Sequence, residues 1–156
     1  MIELSKKKIN IADHILTQTY PLIKDAKLLL TVIENIFLGL SYSMTSLLHH
    51  EKFLKRLPEF SEEFAEKLAL FIRKCVQQHN LRKEYVQLIQ NLREVLIARK
   101  KSPVEFLRKD RLVICTDEYK LTTISFEQAR GYLNLAKEFI NNVESIIGKE
   151  ESLLAK

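Results

Sequence analysis

Arg73 and His79, in the run RKCVQQH, are the residues best suited by type and spacing to do chemistry. Arginine and histidine are also common helix-end residues, since cations favour the C-terminal end of the dipole. The run His49-His50-Glu51 raises a second idea, a metal site with His14 and His79 as distant further ligands. Adjacent helical residues point about 100° apart, so His49 and His50 do not chelate one ion together, and the expectation is a solvated helix surface with no metal. A serine hydrolase is not expected, because no serine stands in a GxSxG elbow.

The third candidate is electrostatic. Arg99, Lys100, Lys101, Arg108, Lys109 and Arg111 stand within thirteen residues against Glu105 and Asp110, six cations to two carboxylates, or +4 of the chain's formal +5. Such a segment can neutralise a few phosphates, with Phe106 or Tyr119 as a stacking surface, giving weak and salt-sensitive nucleic-acid contact. Its apolar residues Val104, Phe106, Leu107, Leu112, Val113 and Ile114 alternate with charges of both signs. That pattern favours a segment that folds back and caps the end of the domain.

The Arg73 to His79 spacing resembles the motif of HEPN-type helical domains. For a ribonuclease of that superfamily the resemblance implies a helical bundle, phosphate stabilisation by Arg73 and proton transfer by His79 across a homodimer. The segment SPVEFLRKDRLVICTDEY also resembles one that recurs in uncharacterised archaeal all-α proteins, a resemblance that implies no activity.

The elements that must position these residues are mostly helices. A short helix is expected over Ile9 to Gln18, broken before Tyr20-Pro21 because the residue before proline leaves the α region. A long helix follows, with Asp25 as its cap, a stripe of Leu29, Ile33, Ile36, Phe37, Leu40, Met44, Leu47 and Leu48, and a stop at Pro58. Ser61 caps a third helix with Phe64, Leu68, Phe71, Ile72 and Cys75 on one face, and a fourth runs from Leu81 to Lys100 around Tyr85, Leu88, Ile89, Leu92, Val95 and Leu96. Ser102-Pro103 opens a short helical turn, then RLVIC and YKLTTI pair as a β-hairpin over about 111–124. Ser125 to Gln128 fits a capping box for the last helix, whose inward residues run from Ala129 to Ile147. The expected fold class is all-α: an antiparallel bundle of four to five helices with the hairpin inserted before the last, one domain over 1–156, its ends near 1–8 and 149–156 frayed.

Composition narrows function further. Three glycines in 156 residues are too few for a phosphate cradle or a dinucleotide fold, so no cofactor is expected. Cys75 and Cys115 form no CxxC pair, and the first residues lack an apolar run behind their lysines, so a cytoplasmic chain with reduced thiols is expected. Leu28 to Leu48 has the length of a membrane span, but Glu34, Asn35 and the recurring Ser and Thr fit the central helix of a bundle. Gly39, Ser43 and Ser46 leave room for a neighbouring helix, from the same chain first and from a second copy otherwise. The favoured reading is a non-enzymatic binding or assembly module, acting as a homodimer or with a helical protein partner. A HEPN-like ribonuclease or RNA-binding domain is the alternative, and a bundle holding an apolar ligand a third.

Overall fold

A computed structural model describes residues 1–101, 105–108, 111–115 and 121–155, without the side chains of residues 101, 105–108, 115 and 121. Among the described residues there are five helices and a small antiparallel sheet: α1 over residues 2–23, α2 Lys27–Phe53, α3 over residues 64–78, α4 Lys83–Lys101, β1 Glu105–Arg108, β2 Arg111–Cys115, β3 Leu121–Ser125 and α5 Phe126–Leu154. The all-α bundle with strands inserted before the last helix is the expected architecture.

The first helix departs from expectation. It begins at Ile2 and passes through Pro21, ending only where Lys24 turns left-handed at φ 53°. Proline lacks an N–H and its ring presses on the preceding turn. A wide π-type turn over Ile15–Thr19 absorbs both problems, with Tyr20 N–H reaching back to the Ile15 carbonyl and the Thr17 hydroxyl donating to Asp13 O at 2.7 Å. A similar wide turn, Phe71–Cys75, interrupts α3.

The long α2 is the centre of the bundle, packed by α1, α5, α4 and the sheet. Leu29, Ile33, Ile36, Leu40, Met44, Leu47 and Leu48 are all fully buried, as their spacing requires. Lys27 N–H donates to Asp25 Oδ1 at 2.9 Å, the expected cap. By length and composition this helix is apolar enough to cross a membrane, yet most of its apolar window is covered by its own chain. Gly39 is where α1 crosses it: Ser5 is fully buried there and its hydroxyl donates to Gly39 O at 2.9 Å. The helix that Gly39 admits therefore belongs to the same chain.

The sheet has the order β1-β2-β3, with Leu112 facing Ile124 and Val113 facing Thr123 in the second ladder. The hairpin is β2 and β3, and where a helical turn was expected after Pro103 the chain supplies a third strand, β1, paired from Glu105↔Ile114 to Arg108↔Arg111. Period-two alternation brings Leu112, Ile114 and Ile124 to the core, and β2 packs on α2 and α4. Within the described residues of the inserted segment, β2 is the strand that covers these two helices.

Ser125 and Gln128 form the expected capping box: Gln128 N–H donates to Ser125 Oγ at 3.2 Å and Ser125 N–H to Gln128 Oε1 at 2.9 Å. From there α5 stays helical to Leu154, past the expected frayed boundary near 149. Between α3, α4 and α5 sits an aromatic cluster, with the Tyr85 and Phe139 rings 5.0 Å apart and Phe71 edge-on to Phe139 at 5.9 Å. The Tyr85 hydroxyl donates to Glu138 and accepts from Asn142 Nδ2, and burial pushes its pKa up to about 12.

Candidate functional site

The C-terminal ends of α2, α3 and α5 converge on an ionisable cluster. Two of those ends close in the same way. After α2, Lys55 takes φ 63°, Lys55 N–H bonds Lys52 O at 2.9 Å and Arg56 N–H bonds Glu51 O at 2.9 Å. After α3, Asn80 takes φ 51°, its N–H bonds Gln77 O at 3.3 Å and Leu81 N–H bonds Val76 O at 2.9 Å. Both are Schellman motifs, which bring the residue after the left-handed position against the last full turn. An apolar contact usually fills that place, and Leu81 follows the rule. Arg56 instead lays its guanidinium on Glu51, Nε to Oε2 at 3.1 Å.

Glu51 is 1 % exposed. A carboxylate that deep in the protein must be paired. His79 Nε2 donates to its Oε1 at 2.7 Å, and Arg56 bridges it to Glu150 of α5 through Nη2. His50 is also buried, and its Nε2 makes no hydrogen bond although it lies 3.5 Å from Glu150 Oε1. Cys75 lies beside the cluster, fully buried, and its thiol is pushed up to about 12, chiefly by burial and further by the charge of Glu51, with Arg56 opposing. A reactivity test follows. In a Cys115→Ser chain at pH 8, where a thiolate fraction of about 10⁻⁴ is left to Cys75, labelling by a maleimide should run more than about a thousand-fold slower than in denaturant. Native labelling at a rate near that of the denatured chain would show that this end of the bundle opens freely.

The cluster corrects the expectation for His49-His50-Glu51. The divergence of adjacent side chains holds, since His49 turns out to Glu62 at 3.6 Å and its ring lies tilted against Phe60, centroids 5.1 Å apart. His50 and Glu51, however, turn inward and are not a solvated surface. His14 is exposed on α1. Of the proposed catalytic pair, His79 is directed at Glu51 while Arg73 lies exposed on α3 without a shared partner.

Among the six cations of the basic segment, Arg99 is bound to Glu34 at 3.0 Å. Lys100 is exposed and Arg111 stands exposed at the start of β2. The side chains of Lys101 and Arg108, and all of Lys109, lie outside the described residues. Lys100 and Arg99 border a groove of roughly 480 Å³ between α2 and α4, floored by Phe37, Leu38, Phe64, Leu96 and Ile97. Arg93 closes one side, its guanidinium 4.9 Å above the Phe64 ring. Leu38 and Ile97 each leave more than a third of their surface in solvent.

The sequence carried a signal for the buried cluster that residue type alone concealed. Met44, Leu47 and Leu48 lead to Glu51, Phe71 and Cys75 lead to His79, and Val143, Ile146 and Ile147 lead to Glu150, each at helical steps of three, four or seven or eight. Three apolar stripes end in an ionisable residue. Compared with protein-family models, curated proteins and solved structures, the chain matches none, and its own residues are what its function must be argued from.

Proposed function

We propose that this chain is a non-enzymatic assembly module that pairs with a second copy of itself through the α2–α4 groove. The observation that carries this is the groove itself, an apolar floor with Leu38 and Ile97 exposed between Arg93 and Lys100. Placed groove to groove, two copies would oppose cation to cation. The complement must therefore be apolar and acidic. The end of α5 offers an exposed apolar pair, Leu153 and Leu154, with the exposed carboxylate of Glu151 one turn before Leu154. Reciprocal docking of each α5 end into the other copy's groove gives a closed two-fold pair.

Light scattering coupled to size exclusion tests it. The chain should run at twice its 18.3 kDa mass, and Leu38→Glu with Ile97→Glu, or Leu153→Ser with Leu154→Ser, should each return it to the single-chain mass. A monomer at high micromolar concentration, or a dimer indifferent to both double variants, would overturn the reading.

The HEPN-like ribonuclease reading rests on a different observation, the 2.7 Å contact of His79 with a buried carboxylate, which is how a general base is oriented. It requires Arg73 and His79 to meet one phosphate. Cleavage of single-stranded RNA that is lost in both Arg73→Ala and His79→Ala would establish it, and no cleavage by the unmodified chain would end it.

A further inference from the structure

We propose that the cluster at the C-terminal ends of α2, α3 and α5 is a binding site for a zinc-class divalent cation, with Glu51, His79 and Glu150 as its protein ligands. One ligand atom from each of the three lies within 4.8 Å of the others, close enough for small side-chain movements to bring all three onto a single small cation. The set comes from three separate helices. One imidazole and two carboxylates suit zinc and its first-row neighbours better than magnesium or calcium, which favour all-oxygen shells.

Two further features of the same place point to a ligand. The first is His50, whose side chain is 6 % exposed and whose Nε2 is aimed at Glu150 from 3.5 Å without a hydrogen bond. Glu51 Oε2 is likewise buried and accepts no well-aligned hydrogen bond. A small rotation of Glu150 onto a bound ion would let His50 Nε2 donate to its free oxygen, the outer contact that ligating carboxylates regularly have.

The second is charge. Two carboxylates face one guanidinium, and Arg56, the group that now bridges them, is a third exposed and hangs from the turn after α2. It can swing into water without unfolding that turn, because the turn is held by its backbone bonds to Glu51 and Lys52. Arg56 is therefore a competitor for the cation's place. The Cys75 thiol is outside the ligand set.

The test is a titration of the full chain with Zn²⁺ against a chromogenic chelator, with Co²⁺ as a spectroscopic probe. One ion should bind per chain, with Mg²⁺ at least a hundred-fold weaker, and Co²⁺ should show the visible bands of a low-coordinate site. His79→Gln and Glu150→Gln should each weaken Zn²⁺ by thirty-fold or more. Because the His79 side chain is the more enclosed, at 10 % exposed, Glu150→Gln is the safer of the two for folding, and circular dichroism checks both. Arg56→Gln should tighten Zn²⁺ about tenfold, an increase that a merely structural salt bridge does not produce. His49→Gln, on the outer face, should leave the affinity unchanged. No stoichiometric binding, or binding that survives both His79→Gln and Glu150→Gln, overturns the proposal.

Discussion

Arg56→Ala, measured by urea unfolding with a chelator present, should cost about 3 kcal/mol, and Glu51→Gln added to it should recover more than half of that loss. The asymmetry comes from where the two partners sit. Arg56 is a third exposed, so its own desolvation is small and its removal loses little by itself. Glu51 is almost wholly buried, so the cost lies in leaving a carboxylate with His79 as its one remaining direct partner. Glutamine keeps the shape and removes the charge, which separates the electrostatic part from packing. A loss below about 1 kcal/mol for Arg56→Ala would mean that the His79 hydrogen bond is by itself enough to hold the Glu51 side chain. Failure of Glu51→Gln to rescue would place the cost in the Schellman turn and not in the charge.

How far this molecule is legible from its residues depends on the range of the interaction involved. The buried face of α2, the Asp25 cap and the Ser125–Gln128 box are local or periodic, and each stands where its spacing puts it. Pro21 misleads because proline's veto on helix is itself a local rule, and a wide turn four residues earlier cancels it. The strand β1 was hidden by a plausible Ser-Pro helix start, and it forms because Glu105 to Arg108 have a partner edge on β2. The ionisable cluster is the hardest case. Glu51 and Glu150 are ninety-nine residues apart in the chain, and neither has an apolar character that marks it as buried. Only the stripe positions of Glu51, His79 and Glu150 betray them, and using those positions means trusting periodicity over residue type. The same rule explains His49 and His50: one lies off the stripe and faces Phe60, the other lies on its edge and faces Glu150.

Clustering at one end of the bundle also has an energetic logic. The C-terminal ends of three helices direct their negative dipole ends toward the same region, which disfavours further anions. Two carboxylates there need partners, and the Arg56 guanidinium and the His79 ring hydrogen bond are the ones the fold provides. Elsewhere in the bundle, ion pairs such as Lys137 with Asp13 and Arg99 with Glu34 lie nearer the surface, and inside it the helices meet through apolar contacts and small residues.

Gly39 is the sharpest instance of the latter, and enlarging it should have the greatest effect of any single change in the core. A Cβ at this position would stand 2.8 Å from Ile9 Cγ1, 2.9 Å from Ile9 Cδ1 and 3.3 Å from Ser5 O. Ile9 is buried and β-branched, so its side chain has little rotamer freedom to retreat, and Ser5 O belongs to the backbone. Gly39→Ala gains about 1 kcal/mol of helix propensity and loses about 1–3 kcal/mol to overpacking, so a net loss is expected. Gly39→Leu cannot be accommodated by side-chain movement and should cost at least about 4 kcal/mol, a large share of the stability of a domain this size. Hydrogen exchange gives the discriminating readout: amides of α1 should lose protection first, while those at the centre of α2 and α5 persist, because the clash pries α1 from the bundle and breaks the Ser5 to Gly39 bond. Stabilisation by Gly39→Ala would show that α1 moves aside at no cost and that the close crossing is incidental. Uniform loss of protection across all helices in Gly39→Leu would instead make α1 inseparable from the cooperative core, since its Ile9, Ala12 and Leu16 are as buried as the α2 stripe they cover.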